Sequence, residues 1–347
     1  MKKRRLCDRQ LWLLAALSLA VFVLTFAVGR YAVRVDKTVC ILIDGALRKL
    51  SRGAWGLAQL WTDTEATIVL NVRLPRILAA ALVGAALSTA GVCYQGMFRN
   101  PMVSPDLLGA STGAGFGAAL AILCAAGYLA ITLSAFFFGL AAVLLAYLIS
   151  RKSRLEEALS MVLAGMMISS LFTAGTSFIK LVADTDNQLP AITYWLMGSL
   201  TSVRAQDVRF AALPILIGLI PLLLLRWRIN LLTLSDAEAR SMGVDTRRLR
   251  LVVIVCATLM TAASVAISGM IGWVGLVIPH FCRILFGYDY RRLLPGCVML
   301  GASFLMVVDT LARTLTTSEI PLGILTSFVG APVFLYLILK GGTDRAD

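Results

Sequence analysis

The chain has 347 residues, of which 59% are hydrophobic and only 15% charged, and its mean hydropathy is +0.85. This balance excludes an ordinary soluble globular protein. Apolar runs of the roughly 20 residues needed to cross a bilayer recur throughout, which predicts a single all-α, polytopic membrane domain over residues 1–347. The net charge of +13 is expected of basic residues that flank membrane spans, and no segment resembles a nucleic-acid-binding module.

Taken in chain order, the apolar runs and the residues that break them predict about ten transmembrane helices. The first run follows the basic sequence MKKRR and is longer than the apolar core of a signal peptide, so we expect it to be retained. The ten predicted segments are 11–29, 77–97, 107–126, 128–149, 157–182, 208–225, 251–268, 272–286, 293–312 and 321–339.

The number of spans and the distribution of charge predict which side each loop is on. An even number of spans places both termini on one side of the membrane. Lys and Arg are in excess on that side, which predicts by the positive-inside rule that both termini are cytoplasmic. The outer side would then carry a long amphipathic loop, 31–74, and a shorter loop, 183–207.

No motif indicates catalysis, a metal site or a cofactor. The seven cysteines form no CxxC pair, and both H-E-x-x-H and the phosphate-binding pattern G-x-x-x-x-G-K-[ST] are absent from the sequence. The candidates for intramembrane chemistry are few: Lys180, His280 and Asp309. We therefore predict no catalytic residue, no metal ligand and no cofactor in this chain. If ATP drives it, the hydrolysis belongs to a partner.

Two features of the spans suggest how the helices pack and where a partner could bind. Arg73 and Arg76 flank Pro75 at the predicted outer entry to the second span, either as interfacial anchors or as a docking point for an acidic partner. Small residues recur at every fourth position on two neighbouring spans, which indicates close helix packing. These residues are Ala80, Gly84 and Ser88 on one span and Gly109, Gly113 and Gly117 on the next.

The most distinctive stretch is a polar island between two apolar runs, RWRINLLTLSDAEARSMGVDTRRLR (226–250). Ser235 and Glu238 fit a capping box that begins a short helix. Gly243 suits a left-handed helix end, and Asp245 can cap the helix that follows. Two capped helices around a glycine favour a surface gripped by a soluble partner; the alternative is a structured loop without one.

Five stretches, in order and correctly spaced, resemble the membrane subunit of the FecCD-type (type II) ABC importers of iron-siderophores, haem and cobalamin. They are RLPRILAAALVGAALSTAG (73–91), NPMVSPDLLGASTGAG (100–115), DAEARSMGVDTRRLR (236–250), ISGMIGWVGLVIPH (267–280) and EIPLGILTSFVGAPVFLYLILK (319–340). The resemblance runs from about residue 70 to the C terminus. The sequence departs from the pattern at Tyr290, where many relatives have a His.

The resemblance implies ten helices per subunit and a two-fold dimer with a second permease copy, either this chain or a related one. The pathway would lie at the dimer axis and be lined by the fifth and tenth helices, here about 157–182 and 321–339. The partners implied are ATP-binding cassette ATPase subunits, which would receive the cytoplasmic coupling region 228–250, and an external substrate-binding protein.

Particular residues match the family's contact positions. The candidates for ATPase coupling are Ser235, Asp236, Glu238, Arg240, Gly243, Arg247 and Arg248. The candidates for docking acidic residues of the binding protein are Arg73, Arg76 and Arg313.

We therefore predict a permease subunit, not itself an enzyme, of an ATP-driven importer in the bacterial inner membrane. Iron-siderophore is the first choice of cargo, and haem and cobalamin stay open. The alternative is an ion-coupled secondary transporter, because broken helices also occur in that class. The scarcity of acidic residues in mid-span and the large polar island argue against it.

Overall fold

The computed structural model describes residues 2–29, 31, 33–50, 60–154 and 156–343, and every regular element in these ranges is a helix. A π-helix spans Ile68–Arg73 and a 3₁₀ turn spans Pro105–Leu108. The α-helices are α1 (Lys2–Ala27), α2 (Val35–Leu50), α3 (Asp63–Thr67), α4 (Leu74–Met97), α5 (Ala110–Leu123), α6 (Tyr128–Lys152), α7 (Glu157–Val182), α8 (Gln188–Met197), α9 (Ala205–Leu224), α10 (Arg226–Leu232), α11 (Asp236–Ser241), α12 (Thr246–Ser268), α13 (Val274–Phe286), α14 (Tyr290–Thr314) and α15 (Leu322–Thr343).

Each of the ten predicted spans contains one helix, namely α1, α4 to α7, α9 and α12 to α15. Seven helical runs of the described residues are long and apolar enough to cross a membrane, and one of them joins α3, the π-helix and α4 over 63–97. The apolar helices α5, α13 and the described part of α15 are shorter. The chain enters α5 and α13 through irregular backbone, 98–109 and 269–273, which shortens both helices.

Helix α4 lies at the centre of the bundle, with 20 of its 24 residues buried. A Cβ on Gly84 would lie 2.2 Å from the carbonyl oxygen of Gly301 in α14, and one on Gly91 would lie 1.9 Å from that of Gly275 in α13. Ser88 donates a hydrogen bond to the carbonyl of Cys297 at 2.8 Å. The packing role predicted for the small residues of this span is confirmed, because two neighbouring helices touch its backbone directly.

The same holds for the stripe on α5. A Cβ on Gly113 would lie 2.6 Å from the carbonyl oxygen of Phe138 in α6, and one on Gly117 would lie 2.5 Å from that of Ser134. The two helices therefore pack backbone to backbone along much of the length of α5.

The segment 31–74, predicted as an amphipathic loop, is largely helical where it is described, and 51–59 lies outside the described residues. Helix α2 buries Thr38 and Ile41 on one face, the pattern of a helix that lies on a protein surface. With 16 residues, α2 is too short to cross a membrane. The predicted loop 183–207 likewise contains α8.

The entry to the second span differs from the prediction that a helix simply begins near Pro75. The helical backbone is continuous from residue 63, and the π-helix ends directly before α4. Proline lacks an N–H and crowds the carbonyl four residues back, and a wider π-turn is one way to carry the chain past such a residue.

Two ends of the bundle can be told apart by their contacts. Arg73, at the start of α4, reaches the last turn of α1, and Arg99, just after α4, reaches Asp236 in α11. We call these the RLPR end and the island end. Glu319 precedes α15 and contacts Arg76 at the RLPR end. The start of α1 and the end of α15 therefore both lie toward the island end, as an even number of spans requires.

Candidate functional site

The RLPR end contains a buried ion-pair cluster centred on Arg76. Its guanidinium donates hydrogen bonds to Asp309 of α14 at 2.9 and 3.0 Å and to Glu319 at 3.0 Å. A second nitrogen of the same group lies 2.8 Å from the other Glu319 oxygen. Thr201, in the link between α8 and α9, donates to Glu319 at 2.6 Å. One arginine thus ties α4 to α14 and to the segments that precede α9 and α15.

The two other predicted docking residues lie beside this cluster and bind the end of α1. Arg73 donates hydrogen bonds to the carbonyls of Phe26 and Tyr31, and Arg313 donates to that of Thr25 at 2.6 Å. Helix C-termini leave carbonyls without helical partners, and cations suit them.

The structure brings the three predicted docking arginines together, but inside the protein. Only 4% of Arg73, 8% of Arg76 and 7% of Arg313 is exposed. Their internal partners were not predicted as such: Asp309 was considered only as a candidate for intramembrane chemistry, and Glu319 was not singled out. A signal was available: a carboxylate within an apolar span has to find a cation, because burying an unpaired charge is very unfavourable.

At the island end, the predicted helix signals are confirmed. Ser235 and Glu238 form the capping box, Gly243 has φ +78°, and Asp245 accepts a hydrogen bond from the backbone N–H of Arg248 at 3.1 Å. The hydrogen bond from the Ser235 hydroxyl, together with that from its backbone N–H, lowers the pKa of the Glu238 carboxyl. The Glu238 side chain therefore caps α11, the helix that contains it.

The predicted coupling residues fall into two groups by exposure. Arg240, Arg247 and Arg248 are exposed, as are Ser235, Glu238 and Gly243. Asp236 instead faces the bundle, where it accepts hydrogen bonds from Arg99 at 2.9 Å and from Arg250 at 2.6 Å.

Arg250 continues the connection into the bundle. It also pairs with Glu157, in the first turn of α7, at 2.8 Å, and only 11% of its side chain is exposed. Helix α11 is thus linked through one arginine to the helix that the resemblance places beside the pathway. Arg250 and its carboxylate at Glu157 were not among the predicted site residues.

A cavity of about 810 Å³ opens where α5, α13 and α15 begin. The carbonyl of Gly198, after α8, accepts a hydrogen bond from the first N–H of α15 at 2.8 Å and so fixes its start. The wall combines apolar side chains with a few polar ones and includes Asp106, Ser111, Met197, Met270, Trp273 and Phe328. It lies between the two ends of the bundle and includes the predicted pathway helix 321–339.

The chain is similar to known transport proteins over almost its whole length. The profile of the FecCD transport family matches residues 16–340. The chain belongs to the FecCD family. The comparison supports the ABC importer assignment over the alternative of an ion-coupled carrier, and it makes the chain a multi-pass membrane permease.

FecCD relatives and a solved structure match over almost the whole chain. The molybdate import system permease protein MolB of Haemophilus influenzae is 39% identical, covering 93% of this chain and 94% of that protein. A probable iron chelatin transport system permease protein of Helicobacter pylori is also 39% identical, and the match covers 94% of this chain and 96% of that protein. A structure described as an inward-facing metal-chelate type ABC transporter has TM-score 0.84, 37% identity and coverage of 96% and 99%. Further FecCD relatives are named for hemin and vitamin B12 transport.

Tyr290, where the sequence departs from the FecCD pattern, is a packing residue. It is 3% exposed, and its hydroxyl donates to the carbonyl of Val92 in α4 at 2.8 Å. Gly96 leaves the room that this ring needs, since a Cβ there would lie 2.1 Å from the hydroxyl oxygen. The departure therefore leaves the assignment intact.

The ion pair of Arg76 should control the stability of the RLPR end. Replacing Arg76→Leu leaves Asp309, which is 1% exposed, without its main partner, and we expect the free energy of unfolding to fall by about 3–5 kcal/mol. The double variant Arg76→Leu with Asp309→Leu removes both charges and should regain most of that loss. Thermal unfolding of the purified protein in detergent measures both.

The control for this experiment is Arg34→Leu. Arg34 pairs with Asp36, but the two side chains are 79% and 61% exposed, so its loss should change stability by only about 0–1 kcal/mol. A double variant as unstable as Arg76→Leu alone would contradict the role given to the buried pair.

Proposed function

We propose that this chain is the membrane subunit of an ATP-driven importer in the bacterial inner membrane and that its cargo is a ferric-siderophore chelate. The volume of the cavity supports this choice of cargo. This volume, about 810 Å³, lies in the range of binding sites for drug-sized molecules. A chelate fills such a space, whereas a small oxyanion does not. Haem and cobalamin stay open as cargo.

We propose further that the island end faces the cytoplasm and receives the ATPase subunits. The exposed arginines of the island, Arg240, Arg247 and Arg248, offer positive charge to the partner, while Asp236 faces inward and holds α11 to the bundle. When the ATPase subunits close, a displaced α11 would pull Arg250 and, through Glu157, the first turn of α7. Such a link lets nucleotide binding bias a two-state helix arrangement.

The RLPR end would then face outward and receive the binding protein. Docking of acidic residues on Arg73, Arg76 or Arg313 stays a prediction, and the structure adds a condition to it. Each guanidinium already has internal partners. An incoming carboxylate must take the place of one of them, and Glu319, with 23% of its side chain exposed, is the more accessible partner of Arg76.

Uptake measurements test the cargo. Cells starved of iron should lose uptake of a radiolabelled ferric siderophore when this gene is deleted and regain it when the gene is restored. In proteoliposomes that contain the permease, its ATPase subunits and the binding protein, uptake should require ATP and persist without an ion gradient, because the energy comes from nucleotide. Labelled haem, cobalamin and molybdate are measured in parallel in the cells. Loss of only one of these three would replace the proposed cargo, and no loss for any of the four would reject the proposal.

The coupling surface is tested by reversing exposed charge. The variant Arg247→Glu with Arg248→Glu should reduce the affinity of the ATPase subunits by at least about tenfold, equal to 1.4 kcal/mol, because both arginines are exposed at the island. Co-purification of the ATPase with the tagged permease at graded concentrations measures this. Glu238 is left in place because its side chain caps α11. Arg209→Glu, an exposed reversal at the RLPR end, is the control, and equal affinities in both variants would exclude this contact surface.

Docking at Arg76 is tested by changing Glu319, the carboxylate that an acidic residue of the binding protein would have to displace. The variant Glu319→Gln keeps hydrogen-bonding capacity toward Arg76 and Thr201 but removes the negative charge. If a carboxylate of the binding protein pairs with Arg76, its affinity should rise several-fold, because it no longer displaces a charged partner. Titration of the binding protein onto permease in nanodiscs gives the affinity. Asp186→Asn, an exposed carboxylate between α7 and α8, is the control, and an unchanged affinity for Glu319→Gln would remove Arg76 from the docking site.

A further inference from the structure

The cavity at the start of α5, α13 and α15 contains an acidic residue that the coupling and docking roles do not use. Asp106 lies in the 3₁₀ turn Pro105–Leu108, which precedes α5. The segment that carries it folds back from the island end into the bundle. Gln95 of α4 donates a hydrogen bond to the carbonyl of Val103 at 3.1 Å, which secures the start of this return.

Close contacts of the neighbouring residues place Asp106 inside the bundle. A Cβ on Gly165 of α7 would lie 2.3 Å from the carbonyl oxygen of Leu107, and one on Gly275 of α13 would lie 2.6 Å from the Pro105 ring. Both residues that flank Asp106 are therefore packed against helices inside the bundle. The carboxylate is placed along the route between the two ends and not at either surface.

Asp106 is only partly buried and is exposed to the cavity, so its carboxylate can be solvated there without a cationic partner, unlike the fully buried Asp309. The hydroxyl of Ser111 donates a hydrogen bond to the Asp106 carboxylate and holds it in position. Among the described residues, no Lys, Arg or His lines this cavity and none forms an ion pair with Asp106. Most of the remaining wall is apolar, with Met270, Trp273 and Phe328 as examples. A charge beside low-dielectric walls acts strongly on an ion that passes it.

We propose that Asp106 is a charge-selecting residue of the translocation pathway and that the cargo is a neutral or cationic chelate of ferric iron. This inference rests on the proposed function and narrows its substrate class. Three singly charged hydroxamates neutralise a ferric ion, whereas three doubly charged catecholates leave a large excess of negative charge. The pathway therefore suits trihydroxamate chelates and disfavours tris-catecholates and bare oxyanions.

The charge of the cavity can be measured without knowing the cargo. Thr112 and Ser327 line the same cavity, and each is replaced by Cys in a full-length chain whose Cys7, Cys40 and Cys124 are Ser. Cationic and anionic methanethiosulfonates of similar size then react with this thiol in membrane vesicles that contain the whole transporter. Relative to a free thiol in solution, we expect the cationic reagent to be favoured by about tenfold.

The decisive comparison adds Asp106→Asn to each reporter chain. The preference for the cationic reagent should fall several-fold, whereas Asp186→Asn, at an exposed residue that does not line the cavity, should leave it unchanged. The same preference with and without Asp106 would overturn the proposal, as would faster reaction of the anionic reagent in the unsubstituted pathway. Two reporter positions keep the experiment decisive if one variant fails to fold.

A matched series of cargoes extends the test to transport. One ferric trihydroxamate that bears a free amine is compared with its acetylated and succinylated forms, which makes the same chelate cationic, neutral or anionic. Asp106→Asn should raise uptake of the anionic form several-fold relative to the neutral form. An unchanged ratio would show that Asp106 does not select by charge. If the natural chain takes up no ferric chelate, the proposed function fails, and the thiol measurement still decides the role of Asp106.

Discussion

The architecture depends on the direct backbone contact that α4 makes with α13 and α14. In lipid, the apolar surface of a helix gains little from leaving the solvent, so helices associate through close packing and hydrogen bonds. Gly84 and Gly91 leave space that the carbonyls of Gly301 and Gly275 fill, and any side chain at either position would force the helices apart. This constraint makes α4 a fixed axis with neighbours on all sides.

Both ends of that axis hold charge in position. Arg76 near its start pairs with Asp309 and Glu319, and Arg99 just after its end pairs with Asp236. Burial explains the difference between the two ends. Desolvation is costly for the interior cluster, so each of its guanidinium groups needs internal partners. At the island end, the exposed arginines stay hydrated and are available to another protein, while Arg250 connects the island to α7.

Irregular backbone creates the cavity between these ends. Such backbone is tolerated at membrane depth only where protein surrounds it or where it lines a cavity, because its polar groups need partners. The segments 98–109 and 269–273 meet this condition, and they let α5 and α13 begin inside the bundle. FecCD permeases of similar sequence are named for chemically different cargoes, which is consistent with a shared scaffold whose selectivity rests on individual side chains. Asp106 is a side chain of this kind.

The sequence by itself determined the class, the ten helices and the local signals of the island. These depend on periodicity and on neighbouring residues: an apolar run of sufficient length, Ser235 three residues before Glu238, or a glycine at a left-handed position. Only the tertiary structure decided which way the charged side chains face. Arg76 and Asp309 are 233 residues apart in the chain, and no local pattern records that pairing. The surface helix α2 and the inward orientation of Asp236 were likewise decided by packing, because burial depends on what the rest of the chain places nearby.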